Sequence, residues 1–413
     1  MRAIGVRGAA WMGGVNAWGD VFVDGQQRLC WFVAADDRWY RPSRETTVRQ
    51  REISGVPVIE TRIKVPGGDA VQRVYGVANF GGAIVVEIYN DSSLPFAVAF
   101  DRSDIASMRA PSPTGVQGID LPEGSVVFPV GHHATMRAAI LINGDSRQIS
   151  AGELEALPSF EQVERGWLGA LQVASRIDVP EASWSTILTS QRCKLMLSPP
   201  IETDDQVDLI LDRAERVRLG DKAGQWVSEV AIATEQIIKQ CVKDSMISWF
   251  AQRAILAAGM LLHRAGESRG EQDIAHAWSR LAEATKINAS ADGTDKTVAS
   301  IAEPLGSVRQ IAWVESQLVA MRRDGVIEIC PRGIDSAWLG VNFECHKLLA
   351  TPEHSISYAV RWHGDKPALL WEIDGPVGAR VMASAIDSSF GSTDMRGETL
   401  LNGFAQDRSA LLK

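Results

Sequence analysis

Carboxyl groups and indole rings are the side chains of this 413-residue sequence with the clearest chemical potential. Two carboxyls flanking a glycosidic bond can cleave it, at separations of ~5–5.5 Å with retention or ~6.5–9.5 Å with inversion. The proton donor must stay protonated near neutrality, which burial arranges by raising its pKa. Glu315, two residues after Trp313 on an expected helix, would place such an acid beside an aromatic platform. Glu235 and Asp244, with Glu229 on the same long helical stretch, are the further catalytic candidates. Trp249, Trp39 and Asp37 join Trp313 as candidate binding residues. The competing reading makes Glu315 a solvated helix residue and Trp313 part of the core.

Other groupings carry less. Glu372 and Asp374 would lie ~6.8 Å apart along one strand face, but that face opposes Trp371 and reads as solvated sheet. Asp36-Asp37-Arg38-Trp39 offers carboxylate and indole to a sugar, or forms a loop salt bridge. His132 and His133 adjoin at a strand start, where neighbouring side chains point to opposite faces and do not share a metal. Cys30, Cys193, Cys241, Cys330 and Cys345 are odd in number and contain no C-x-x-C pair, so neither a zinc knuckle nor a disulfide framework is expected. The pairs Gly13-Gly14, Gly67-Gly68 and Gly81-Gly82 sit among strands and lack the phosphate-loop lysine and the dinucleotide fingerprint. No metal or organic cofactor is therefore expected.

The net charge of −9 argues against a general attraction to nucleic acid or anionic lipid. No apolar run reaches the ~18 residues of a membrane helix, since Gln252 and Arg253 interrupt the longest one. The N-terminus shows no sustained apolar segment of a secretory signal, so cytoplasmic residence is the expectation.

The elements that must position these residues come in the order strands, helices, strands. A hairpin is expected over Val21–Ala34 around Asp24-Gly25, followed by VPVIETRIKV, VQRVYGVA and the pair GGAIVVEIYND and LPFAVAF; EGSVVFPVG and ATMRAAILI complete the set. Ser150, Ser159 and Thr203 each head an S/T-x-x-E/Q capping box. Gln225–Arg264 carries a helical apolar stripe with a break expected near Lys243–Ser245 or Gly259. NASADGTDKT reads as a polar connection, and VRQIAWVESQLVAMRR as a last helix. SISYAVRWH and ALLWEID then form a hairpin across Gly364-Asp365-Lys366-Pro367. The fold class is α+β multidomain: an antiparallel β-sandwich (1–150), a linker with short helices (151–202), an α-helical domain (203–324) and a C-terminal antiparallel β-rich region (325–413).

The segment VIEICPRGIDSAWLGVNFECHKLLATPEHSISYAVRWHGDKPALLWEIDG resembles the β domain that follows the α/α toroid in glucoamylase-like and rhamnosidase-like glycoside hydrolases. ERGWLGALQVASRIDVPEASWSTILTSQRCKLMLSPP is similar to their linker into the toroid, and IVVEIYNDSSLPFAVAF to a strand pair of their sandwich. The whole resembles uncharacterised bacterial proteins of this three-part plan, with five or six helices standing for an incomplete toroid. The resemblance implies glycan or oligosaccharide binding by a degenerate hydrolase-like scaffold. Its alternatives are an active glycoside hydrolase or phosphorylase using a helical-domain carboxylate, and an interaction scaffold without a small ligand. An incomplete toroid leaves helix faces to cover, so self-association into a homo-oligomer is a further expectation.

Overall fold

Between Val58 and Val77 apolar and polar residues alternate, and the chain there forms the long antiparallel hairpin that organises its N-terminal half. The computed structural model describes residues 1–36, 38–112, 121–284, 307–322, 324–364 and 366–402, in two compact units, Met1–Gly169 and Ala170–Lys413. The architecture is α+β, with strands first, helices in the middle and sheets again at the end.

In the first unit β1 (Arg2–Gly5), β2 (Met12–Val15) and β3 (Val21–Val23) make a small sheet. The chain continues through β4 (Trp31–Ala35), β5 (Arg38–Tyr40), β6 (Arg49–Glu52), β7 (Val58–Val65), β8 (Gly68–Val77) and β9 (Ala83–Ser92). After these come β10 (Phe96–Phe100), β11 (Ala106–Ser107), β12 (Val126–Val130) and β13 (Thr135–Leu141). A six-stranded sheet has the order β11-β13-β9-β8-β7-β6, and a four-stranded one the order β12-β10-β4-β5. Ile59, Ile63, Val74 and Val86 of the first meet Trp31, Val33, Val98 and Phe128 of the second in one core, the arrangement of a β-sandwich.

Two expected pairings are corrected by this topology. β3 pairs with β2 and β4 with β10, so Val21–Ala34 is no simple hairpin, although a single bridge joins Val21 and Leu29. β9 and β10, expected as a pair, likewise join different sheets. Alternation records that a strand has one buried face; in a sandwich, successive strands satisfy it equally well by crossing to the opposite layer.

On its other face the six-stranded sheet carries a row of alternating charge. Arg51, Glu60, Arg73, Glu87 and Arg137 lie directly opposite one another across five strands. Glu60 accepts from Arg51, Arg62 and Arg73 at 3.0 Å, and Glu87 accepts from Arg137 at 2.7 Å and from the Tyr75 hydroxyl at 2.6 Å. The helices α1 (Ala151–Glu155) and α2 (Phe160–Leu171) begin at Ser150 and Ser159 with the expected reciprocal caps. Arg137 donates to the Leu154 and Leu157 carbonyls, and the Arg73 guanidinium lies 4.2 Å over the Phe160 ring.

The second unit begins with β14 (Arg176–Asp178), α3 (Ala182–Leu197), α4 (Gln206–Arg218), α5 (Val227–Asp244), α6 (Trp249–Ala265) and α7 (Ser268–Ala284). The helix α8 (Ser307–Leu318) runs into β15 (Val319–Met321), which pairs with β16 (Ile327–Ile329). Then come β17 (Phe343–Leu349), β18 (Ser355–His363), β19 (Lys366–Asp374), β20 (Val381–Ala383), β21 (Asp387–Ser392) and β22 (Arg396–Leu400). Their sheets have the orders β14-β17-β18-β19-β22 and β15-β16-β20-β21, antiparallel except for β16 with β20.

The expected divisions 203–324 and 325–413 both fall inside one unit, and the segment read as a linker supplies β14 as an edge strand of the C-terminal sheet. The last helix is shorter than expected, because Val319–Met321 is β-structure. The polar run NASADGTDKT lies outside the described residues.

Helix ends follow local chemistry. The expected break falls at Ser245, in the left-handed conformation (φ 52°) after α5, and Ser248 caps α6. Gly259 stays within α6; a Cβ there would stand 2.9 Å from the Pro352 ring, so the glycine serves close packing. Thr203 does not cap α4: the Asp205 carboxylate does, accepting from the Val207 and Asp208 amides. Gly220 (φ 111°) follows the end of α4 as expected. Among the described residues no helix is long and apolar enough to cross a membrane.

Candidate functional site

The helix α4 is buried from Leu209 to Arg218 although Asp212, Arg213, Glu215, Arg216 and Arg218 are charged. It packs against α3, α5, α6 and α8, so each charge must find a partner inside the protein. Arg216 donates to the Leu195, Ser198 and Pro199 carbonyls at 2.9, 3.1 and 2.7 Å, satisfying acceptors left free around the end of α3. Asp212 accepts from Arg213 and Arg216 at 2.6 and 2.9 Å.

The opposite side of α4 enters a closed ring of charge. Arg192 donates to Glu215 at 2.6 Å, and Arg218 donates to Glu215 at 2.7 Å. Arg218 also grips Glu315 with two hydrogen bonds of 2.8 and 2.9 Å, and Arg192 closes the ring to Glu315 at 2.9 Å. The Ser175 hydroxyl accepts from Arg192 at 2.7 Å and donates to Glu315 at 2.6 Å. Arg253 stands outside the ring, 3.4 Å from Glu315.

Glu315 is fully buried, which corrects the reading of it as a solvated helix residue. Burial alone would push its carboxyl up, but Arg218, Arg192 and Arg253 outweigh that and hold it at about 2. An acid catalyst needs the opposite shift. Trp313 is separated from it by about 200° of helical rotation and packs edge-on to Trp184 at 5.7 Å, with Trp338 beyond at 5.3 Å. The proposed acid and its platform therefore face different surroundings.

The other candidates are scattered. Glu235 is exposed and paired with Lys239 at 2.6 Å, while exposed Asp244 accepts from Gln240 at 2.7 Å. Trp39 packs its half-buried indole on Cys30, Phe32, Ala99 and Val127. Arg38 beside it forms a two-bond pair with Glu45 at 2.8 and 3.2 Å, and Asp37 lies outside the described residues. Trp249 is half-buried at the start of α6, in edge contact with Phe250 at 4.7 Å. The Arg309 guanidinium lies 5.1 Å over the Phe250 ring and donates to Asp205 at 2.6 Å and to Asp208 at 2.5 Å. Here a binding candidate from the sequence adjoins an aromatic ring under accessible charge: the Asp205 side chain is 46% exposed.

The minor groupings carry no chemistry that uses them. His132 and His133 lie in the turn between β12 and β13 with ring centroids 3.7 Å apart, rather than on opposite faces. The first contacts the Ser92 carbonyl and the second the Tyr89 hydroxyl. Among the described residues no three His, Cys, Asp or Glu side chains are grouped to hold a metal. All five cysteines are buried, and burial pushes the Cys330 thiol up to about 12, far from a reactive thiolate. Glu372 and Asp374 are exposed on β19, as the strand pattern predicts.

Ser175, Arg192, Glu215, Arg218 and Arg253 were not legible as a group, and Asp205, Asp208, Phe250 and Arg309 were equally silent. The available signal was the run DRAERVR, whose charges leave α4 no ordinary apolar stripe. No protein-family model matches the sequence, and no curated protein matches it.

Proposed function

We propose that the second unit binds a carbohydrate without cleaving it, at the surface formed by Trp249, Phe250, Arg309 and Asp205. The observation that carries this reading is the joining of a half-buried aromatic pair to a hydrogen-bonding guanidinium and a partly exposed carboxylate. A sugar ring presents C–H groups on one face and hydroxyls at its rim, which suits such a surface. The absence of cleavage rests on Glu315, whose three guanidinium neighbours keep it ionised, and on the exposed, separate placement of Glu235 and Asp244. The hydrolase and phosphorylase reading lacks that support.

A thermal-shift panel of oligosaccharides tests the proposal. A ligand at 100 times its Kd stabilises the folded state by about 2.7 kcal/mol. Trp249→Ala is expected to weaken the responding sugar at least tenfold, equivalent to ~1.4 kcal/mol, read by calorimetric titration. A flat panel, or an undiminished response in Trp249→Ala, overturns it.

A second reading, an interaction scaffold that self-associates, draws on Ile232, Val242 and Met246, which are 58, 53 and 57% exposed along and just after α5. A constant monomer mass by light scattering across a dilution series would remove it.

A further inference from the structure

The ring of Arg192, Glu215, Arg218 and Glu315 is neutral, two guanidiniums against two carboxylates, with every side closed at 2.6–2.9 Å. Arg253 is the surplus charge. It is 8% exposed, and its polar partners among the described residues are Glu315 and the Leu349 carbonyl, both at 3.4 Å. A guanidinium has five N–H donors and prefers acceptors at ~2.7–3.2 Å, so Arg253 is poorly served. It cannot escape by losing its proton, because arginine stays protonated in proteins. Among the described residues its one ion pair, to Glu315, is the longest of the three that this carboxylate makes, and it is shared with Arg192 and Arg218.

Beside Arg253 lies a cavity of about 20 Å³ whose polar lining is Glu215, Arg218, Arg253 and Glu315, with Leu211 and Ile311 among its apolar walls. A volume of ~10–15 Å³ admits one water, so the space beside Arg253 suits a species about the size of a water molecule or a single small ion. Both lining carboxylates are already neutralised within the ring, which leaves the field of Arg253 as the uncancelled one.

We propose that this cavity is a binding site for one monatomic monovalent anion, of the chloride class, held by the guanidinium of Arg253 with Arg218 behind it. The anion completes the charge balance of the helical core. No bond is made or broken, so the anion acts as a structural ligand whose affinity adds to the stability of the unit.

Bromide is the probe. Crystals of the full chain grown in sodium bromide should show an anomalous bromine peak in the cavity, within hydrogen-bonding reach of Arg253. In solution, replacing gluconate by chloride or bromide at constant ionic strength should raise the melting temperature saturably, and Arg253→Met should abolish that rise. Peaks confined to the surface, or water alone in the cavity, overturn the proposal, as does a halide-independent melting temperature. Should Arg253→Met not fold, the wild-type titration and the anomalous map decide between these outcomes.

Discussion

Glu315→Gln is expected to destabilise the second unit by about 3–5 kcal/mol, the range for removing one member of a buried ion pair. The substitution keeps the shape of the side chain and deletes its charge. Arg192, Arg218 and Arg253 then face Glu215 as the remaining carboxylate of the network. Hydrogen exchange by mass spectrometry should show lost protection in α3, α4 and α8, the elements the ring joins. A loss below about 1 kcal/mol, the scale of an exposed pair, would show that the ring does not hold these helices together. The same carboxyl sets a pH dependence. Its folded pKa of about 2 lies below its ordinary value of 4.5, so its contribution is fully present above pH 4.5. It is lost as the pH falls through 2, where the folded state also takes up the proton. Glu315→Gln should flatten the acid limb of stability in that window.

Trp31→Ala is expected to cost the first unit about 3–5 kcal/mol, as large aromatic truncations in closed cores do. Trp31 is fully buried, lies opposite Phe100 in the register of β4 with β10, and donates its indole N–H to the Trp18 carbonyl at 2.9 Å. The cavity would open between the two layers of the sandwich and leave the Trp18 carbonyl without that donor. Protection should fall in β4 and β10 and across the facing β7–β9. A change confined to β3 and β4 would instead favour the local hairpin that the sequence pattern predicts over Val21–Ala34.

That hairpin shows where the sequence stops being informative. Alternation located β7 with β8 and β18 with β19, whose partners are joined by tight turns and lie next to each other in the chain. It could not assign β4, since a buried face is served equally by either layer. Serine followed three residues later by Glu or Gln located two helix starts, because a cap is completed within four residues. The ion ring has the opposite character: Glu315 lies 97 residues from Arg218 and 123 from Arg192. Nothing within ten residues of Glu315 distinguishes a solvated helix carboxylate from one held by three guanidiniums. Trp249 was named from the sequence as a binding candidate, but its neighbour Phe250 meets Arg309, and through it Asp205, only by the packing of α8 and α4. β14 escaped notice because three residues do not establish a period.

The alternating charge row of the six-stranded sheet bears on association between chains. Shifting β7 by two residues would set Arg62 between Arg51 and Arg73, so the mispaired sheet repels itself. The row ends at β6, the open edge of the sheet, where the Arg49 and Arg51 side chains are 64% and 68% exposed. A strand from another molecule adding to β6 would have to lie alongside those cations. Edge-to-edge pairing of sheets, a first step toward fibrous aggregates, is therefore discouraged at the very margin where unpaired backbone groups would otherwise invite it.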